Sequence, residues 1–146
     1  MKSEMTKISK NKTEKQKIGE IGESLACRFL EEKGYEIIGR NYLKPWGEID
    51  VVAHKDGITV FVEVKTVTRV PFGPQNDENI GTRVTNGYRP EDNLHPWKLK
   101  RLTRAINSYL VEKRIGEGDW RFDVITVYLN PETKKAKVEH LQNIVL

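Results

Sequence analysis

Hydrophobic and polar positions along the chain change period several times, and each change marks an element. From Ile18, the residues Ile18, Ile21, Gly22, Leu25, Phe29 and Leu30 recur at three- and four-residue spacing. That is the stripe of an amphipathic helix, and Lys33-Gly34 ends it. "YEIIGRNYL" (Tyr35–Leu43) reads as a strand that Pro45 stops. Runs rich in Val and Ile at 47–54 and 58–66 make two more strands, joined at Asp56-Gly57. A second helical stripe of Leu99, Leu102, Ile106, Tyr109 and Leu110 lies within Pro96–Arg114, and Gly116 and Gly118 close it. "WRFDVITVYL" (Trp120–Leu129) and "KAKVEHLQNIVL" (Lys135–Leu146) are the last strands, with a turn at Asn130-Pro131. The order αβββαββ predicts an α/β fold in which a mixed β-sheet is flanked by helices.

Two segments carry no sustained period. Residues 1–17 hold Lys2, Lys7, Lys10, Lys12, Lys15 and Lys17 against Glu4 and Glu14, with little to bury, and are expected to form a flexible basic arm. Residues 67–95 are irregular and contain Pro71, Pro74 and Pro90. A loop of that length is usually functional or unstructured. The chain of 146 residues is therefore read as one domain, 18–146, behind a basic arm.

Composition narrows the classes. Net charge is +4, which suits an anionic partner and an ordinary basic soluble protein equally well. Cys27 is the only cysteine, so no internal disulfide forms and a reducing compartment is expected. On the first helix, beside Ala26, it reads as a small inert residue. No apolar run approaches the ~18 residues of a spanning helix, and "MKSEMTKISKNKTEKQK" lacks the apolar centre of a signal peptide. The expectation is a cytoplasmic protein with no membrane partner and no small-molecule cofactor.

Chemistry concentrates in "GEIDVVAHKDGITVFVEVKT", Gly47–Thr66. Asp-Gly between two β-rich runs signals a two-residue hairpin turn with positive φ at both positions. Lys55 then faces Ile58, paired residue numbers sum to 113, and Asp50 faces Glu63 while Glu48 faces Lys65. Like charges directly opposed in a sheet are destabilising. Two carboxylates ~4 Å apart at an effective dielectric of ~20 repel by roughly 4 kcal/mol. A shared proton, Lys65 or a bound cation must offset that. Glu63 and Lys65 alternate with Val62 and Val64, so both project beside Asp50. Two hard oxygen ligands and an ammonium suit Mg²⁺, with Mn²⁺ as a substitute, and an attacking water. A plain polar sheet face with Lys65 paired to Glu48 fits the residues equally well. On the first helix Glu23 falls at the edge of the apolar face and can reach a site on the sheet, whereas Glu20 points to solvent.

"GEIGESLACRFLEEKGYEIIGRNYLKPWGEIDVVAHKDGITVFVEVKT", with the later "RFDVITV", resembles the YraN-like family of predicted endonucleases. That family lies in the PD-(D/E)xK nuclease superfamily and is related to archaeal Holliday-junction resolvases. The resemblance covers about 18–66 and 97–127. It implies a restriction-endonuclease-like core, with Asp50, Glu63 and Lys65 in the catalytic set and Glu23 as its first-helix glutamate. Asp123 also matches the family pattern. It is read as structural or supporting, paired with Arg121 or with cations of the second helix. After Lys65 the chain departs from the family, with Thr66-Val67-Thr68 before Arg69 where an arginine commonly follows sooner. Junction resolvases act as dimers, so the resemblance leaves a homodimer open.

A nuclease must hold an anion that its own carboxylates repel. Lys98, Lys100, Arg101 and Arg104 on the second helix and Arg69 in the long loop are the candidate DNA contacts. His54, His95 and His140 lack ligand spacing and read as a turn residue, a helix-cap neighbour and a strand-surface residue. Two functions fit: a metal-dependent DNA endonuclease, acting on branched or structured DNA, and a non-catalytic nucleic-acid-binding protein with the same fold.

Overall fold

A computed structural model describes residues 12–68, 95–130 and 132–146. Most of the basic arm, and the loop with Arg69, lie outside the described residues. The elements are α1 (Glu14–Glu32), β1 (Glu36–Lys44), β2 (Gly47–Lys55), β3 (Ile58–Val67), α2 (Pro96–Lys113), β4 (Trp120–Leu129) and β5 (Ala136–Leu141). This is the expected order αβββαββ.

Two boundaries differ from expectation by more than one residue. Helix α1 starts at Glu14, before the expected Ile18. Thr13 explains it: its hydroxyl accepts the Gln16 N–H at 3.1 Å, and the Gln16 side chain accepts the Thr13 N–H at 3.0 Å. This reciprocal box satisfies two donors that a helix start otherwise leaves open. Strand β5 ends at Leu141, short of the expected Leu146. Asn143 takes a left-handed φ of 55°, its N–H donates to the Asp123 carboxylate, and the Ile144 N–H donates to the Phe122 carbonyl. Those bonds turn the tail back over β4.

The strands form one sheet in the order β1-β2-β3-β4-β5. All neighbours are antiparallel except β3 and β4, which are parallel. A parallel pair needs a crossover, and α2 lies within it. Val51, Ala53, Val60, Val62, Ile125 and Val127 pack on one face against Ala26, Cys27 and Leu30 of α1. Ile49, Val52, Phe61, Phe122 and Val124 pack on the other against Leu102, Ala105, Ile106 and Tyr109 of α2. The result is three layers, each side of the sheet sealed by one helix stripe. Cys27 lies in the first core, where burial pushes its thiol pKa up, as an inert residue requires.

Glycines set how closely the helices approach. A Cβ on Gly22 of α1 would sit 1.8 Å from the Thr66 hydroxyl oxygen of β3, and one on Gly47 of β2 would sit 2.1 Å from the Arg101 carbonyl of α2. Both contacts lie beside the same end of β2 and β3. There the helices are drawn in from opposite sides.

Candidate active site

Asp56 and Gly57 form the expected turn, with φ of 53° and 79°. The ladder runs from Lys55–Ile58 to Val51–Val62 in the expected register, and it stops there. The cause lies at Asp50. Side-chain alternation breaks at this residue: Ile49 and Val52 both join the α2-side core, while Val51 joins the α1 side. In β1 the register passes from Arg40–Val51 to Tyr42–Ile49, which leaves Asn41 across from Asp50, with a left-handed φ of 53°. With the strand turned at this point, the Asp50 carboxylate itself accepts the Val64 N–H at 2.9 Å. A side chain takes over a bond that the ladder no longer supplies.

The divergence opens a cleft of about 1100 Å³ between the two helices, and Asp50, Glu63, Lys65 and Glu23 all line it. The sequence-predicted catalytic set is therefore assembled in one place, from α1, β2 and β3. Glu63 is buried and lies close enough to Asp50 for its charge to act on the Asp50 carboxyl. Burial, followed by the Glu63 charge, pushes the Asp50 carboxyl up to about 8, and the Val64 N–H only partly opposes this. Glu23 is also raised, first by burial, with the Arg40 guanidinium 3.6 Å away and a hydrogen bond to Asn41 pulling the other way. Lys65 is lowered by burial and by the Lys98 charge, with Glu63 opposing.

The cation nearest the acid pair is not Lys65. Lys98, from the first turn of α2, places its ammonium 2.8 Å from Glu63 Oε2. Glu48, expected opposite Lys65, lies past the end of the β2–β3 ladder and is exposed on the cleft wall. Among the cationic candidates, Lys98 and Arg101 line the cleft together with Lys15, while Lys100 and Arg104 are exposed and are not part of its lining. Trp97 also lines the cleft, largely exposed. Arg40, Asn41 and the site role of Lys98 were missed from sequence. Arg40 and Asn41 sit on β1, which local pattern does not connect to Glu23, although Asn is among the residues that tolerate positive φ.

Asp50 and Glu63 offer two carboxylates facing an open cleft, and the carbonyl of Val64 belongs to the same strand end. Hard oxygen donors whose repulsion a dication would relieve fit Mg²⁺ or Mn²⁺. Among the described residues no group of three His, Cys, Asp or Glu side chains is gathered closely enough to hold a metal alone. Any such ion would keep waters or take substrate oxygens, as Mg²⁺ commonly does.

Asp123 lies elsewhere, fully buried on β4. Arg121 donates to both its oxygens, His140 Nε2 lies 2.8 Å from Oδ2, and the Asn143 N–H binds Oδ1. The pairing with Arg121 is as expected; the helix cations take no part. His140 is not the surface residue that its strand position suggests. Its side chain is buried, edge-on to Phe29 and Tyr35. His95 is the N-cap of α2, and His54 belongs to β2 and not to the turn.

A mixed sheet with one helix on each face, and acids with a lysine where two strands part, is a restriction-endonuclease-like fold. The family model described as "Uncharacterised protein family UPF0102" matches residues 22–127, and the chain belongs to that family, the YraN-like group. A UPF0102 protein of Alkaliphilus oremlandii is 40% identical over 129 residues, covering 87% of this chain and 96% of its own. One from Flavobacterium psychrophilum is 35% identical, covering 86% and 91%, and one from Caldanaerobacter subterraneus is 34% identical, covering 90% and 97%. No helix among the described residues is long and apolar enough to cross a membrane.

Proposed function

We propose that this protein is a metal-dependent DNA endonuclease that hydrolyses phosphodiester bonds in branched or otherwise structured DNA. The observation that carries the reading is the placing of Asp50 and Glu63 side by side in sequence register at the parting of β2 and β3, in one cleft lined by cations. Asp50, Glu63 and the Val64 carbonyl would hold Mg²⁺, which when bound supplies charge stabilisation for the phosphate and a lowered pKa for its water. Lys65 holds the attacking water by its ammonium and offsets negative charge building on the phosphate oxygens. Glu23, tethered by Arg40, adds acid to the cleft wall and would help orient waters around a bound ion. Lys98 and Arg101 hold the flanking phosphates, and the cleft's open mouth admits a strand.

Purified protein with Mg²⁺ or Mn²⁺ should cut at least one of a panel of junction, flap and single-stranded DNAs, and Glu63→Ala should lose at least about a hundredfold in rate, the scale of removing one electrostatic catalytic group. No cleavage of any substrate, or equal cleavage by Glu63→Ala, would leave nucleic-acid binding without chemistry as the better account.

A further inference from the structure

Lys98 stands where a cation at the helix start is unfavourable. It lies in the first turn of α2, close to the positive end of the helix dipole, and that turn contains no acid. Its ammonium nevertheless reaches Glu63 at 2.8 Å, in an ion pair with one exposed and one buried partner: the Lys98 side chain is 52% exposed and that of Glu63 is 7%. The charges of Asp50 and Glu48 also act on it attractively. The backbone that carries it is fixed, because the Arg101 carbonyl is packed against Gly47. The side chain is long and about half exposed, so it can swing about that fixed point. A dication seated on the acid pair would have to compete with this ammonium for Glu63.

We infer that Lys98 is the built-in counter-ion of the Asp50–Glu63 pair, displaced when a divalent cation binds and freed by that displacement to take a substrate phosphate. This rests on the metal site proposed above. In the free protein Lys98 occupies the buried Glu63 and weakens cation binding. A phosphate at the cleft mouth offers Lys98 another partner and so opens the acid pair. Metal and nucleic acid then favour each other's binding, by reciprocal coupling through one side chain. Lys65, further along β3, keeps its place near the reacting phosphate throughout. The arrangement keeps the cation seat weak until substrate is present.

Calorimetric titration of the full chain with Mn²⁺, without DNA, tests this. Lys98→Met should bind Mn²⁺ at least about fivefold more tightly than wild type, the low end of typical coupling between sites. Lys98→Gln should behave in the same way, which covers the case of one variant folding poorly. Lys98→Arg, which keeps the charge, should stay near wild type. Lys100→Met removes the same charge two residues away from a side chain outside the cleft lining, and should also leave the affinity near wild type. Equal Mn²⁺ affinity in wild type and Lys98→Met, or equal gains in Lys98→Met and Lys100→Met, overturns the counter-ion role and leaves the cation seat standing. Absence of Mn²⁺ binding in every variant overturns the seat as well.

Discussion

The Asp50 carboxylate accepts the backbone N–H of Val64 at 2.9 Å, one residue beyond Glu63, whose charge acts on the same carboxyl. One side chain thus ends the β2–β3 ladder and brings the second acid to the same point. The strands part because of this bond, and the cleft is the space that the parting leaves. Structure and chemistry have one origin here.

The raised Asp50 carboxyl makes stability depend on pH. Its ordinary value of 3.8 becomes about 8 in the folded protein, so between those values the native state holds a proton that the unfolded chain releases. Stability from this group is therefore lost as pH rises from about 4 to about 8 and is level above that. Asp50→Asn keeps an acceptor for the Val64 N–H and removes the ionisation. It should melt about 3 °C or more above wild type at pH 8 and within about a degree of it at pH 4, as a gain of about 1 kcal/mol requires in a domain of this size. Melting curves at the two pH values decide this, and a gap of equal size at both contradicts it.

Three glycines should separate by their surroundings. Gly19, with nothing within 4 Å of an added Cβ, should gain about 1 kcal/mol on substitution by Ala, through helix propensity alone. Gly22→Ala meets three atoms of Thr66, and the Thr66 Cβ at 2.9 Å stays in place whichever way the hydroxyl turns. It should lose about 1–3 kcal/mol, as overpacking does. Gly47→Ala meets backbone, which cannot turn aside, and should lose at least as much. Urea denaturation of the three variants ranks them, and a stabilising Gly22→Ala contradicts the close packing of α1 on β3.

Arg101 and Arg104 lie one helix turn apart, but only Arg101 lines the cleft. If DNA lies in that cleft, Arg101→Ala should reduce the slope of log affinity against log salt by about 0.7–0.9, the release of one counterion. Arg104→Ala should leave the slope unchanged. Binding measured across a salt series, without divalent metal, makes the comparison. Equal effects from the two substitutions point to binding along the whole helix face.

Local pattern carried much of this architecture, because helix and strand periods and the Asp56-Gly57 turn are short-range signals. The turn sets which residues of β2 and β3 pair as far as Val51–Val62, and Asp50 and Glu63 are the next residues beyond that pair. What the pattern could not carry is contact between elements far apart in sequence. Which turn of α2 meets Glu63 depends on the crossover through 68–95, so Lys98 read only as one surface cation among several. His140 looked exposed because a short edge strand with charged neighbours gives no sign of Phe29 and Tyr35 closing over it. The early end of β5 was hidden for a similar reason: the tail is held by Asp123 and Phe122, from the neighbouring strand. The break in alternation at Asp50 has no sequence signature beyond the acid itself.

The central claim is that Asp50 and Glu63 act as one seat for a divalent cation, and thermal melting with and without Mn²⁺ tests it most directly. At neutral pH the wild type should melt higher by several degrees when Mn²⁺ is added at about a hundred times its dissociation constant, which corresponds to about 2.7 kcal/mol. Asp50→Asn should show no such rise, although its melting point without metal is equal to or above that of wild type. An equal rise in both proteins, or none in the wild type, would contradict the claim.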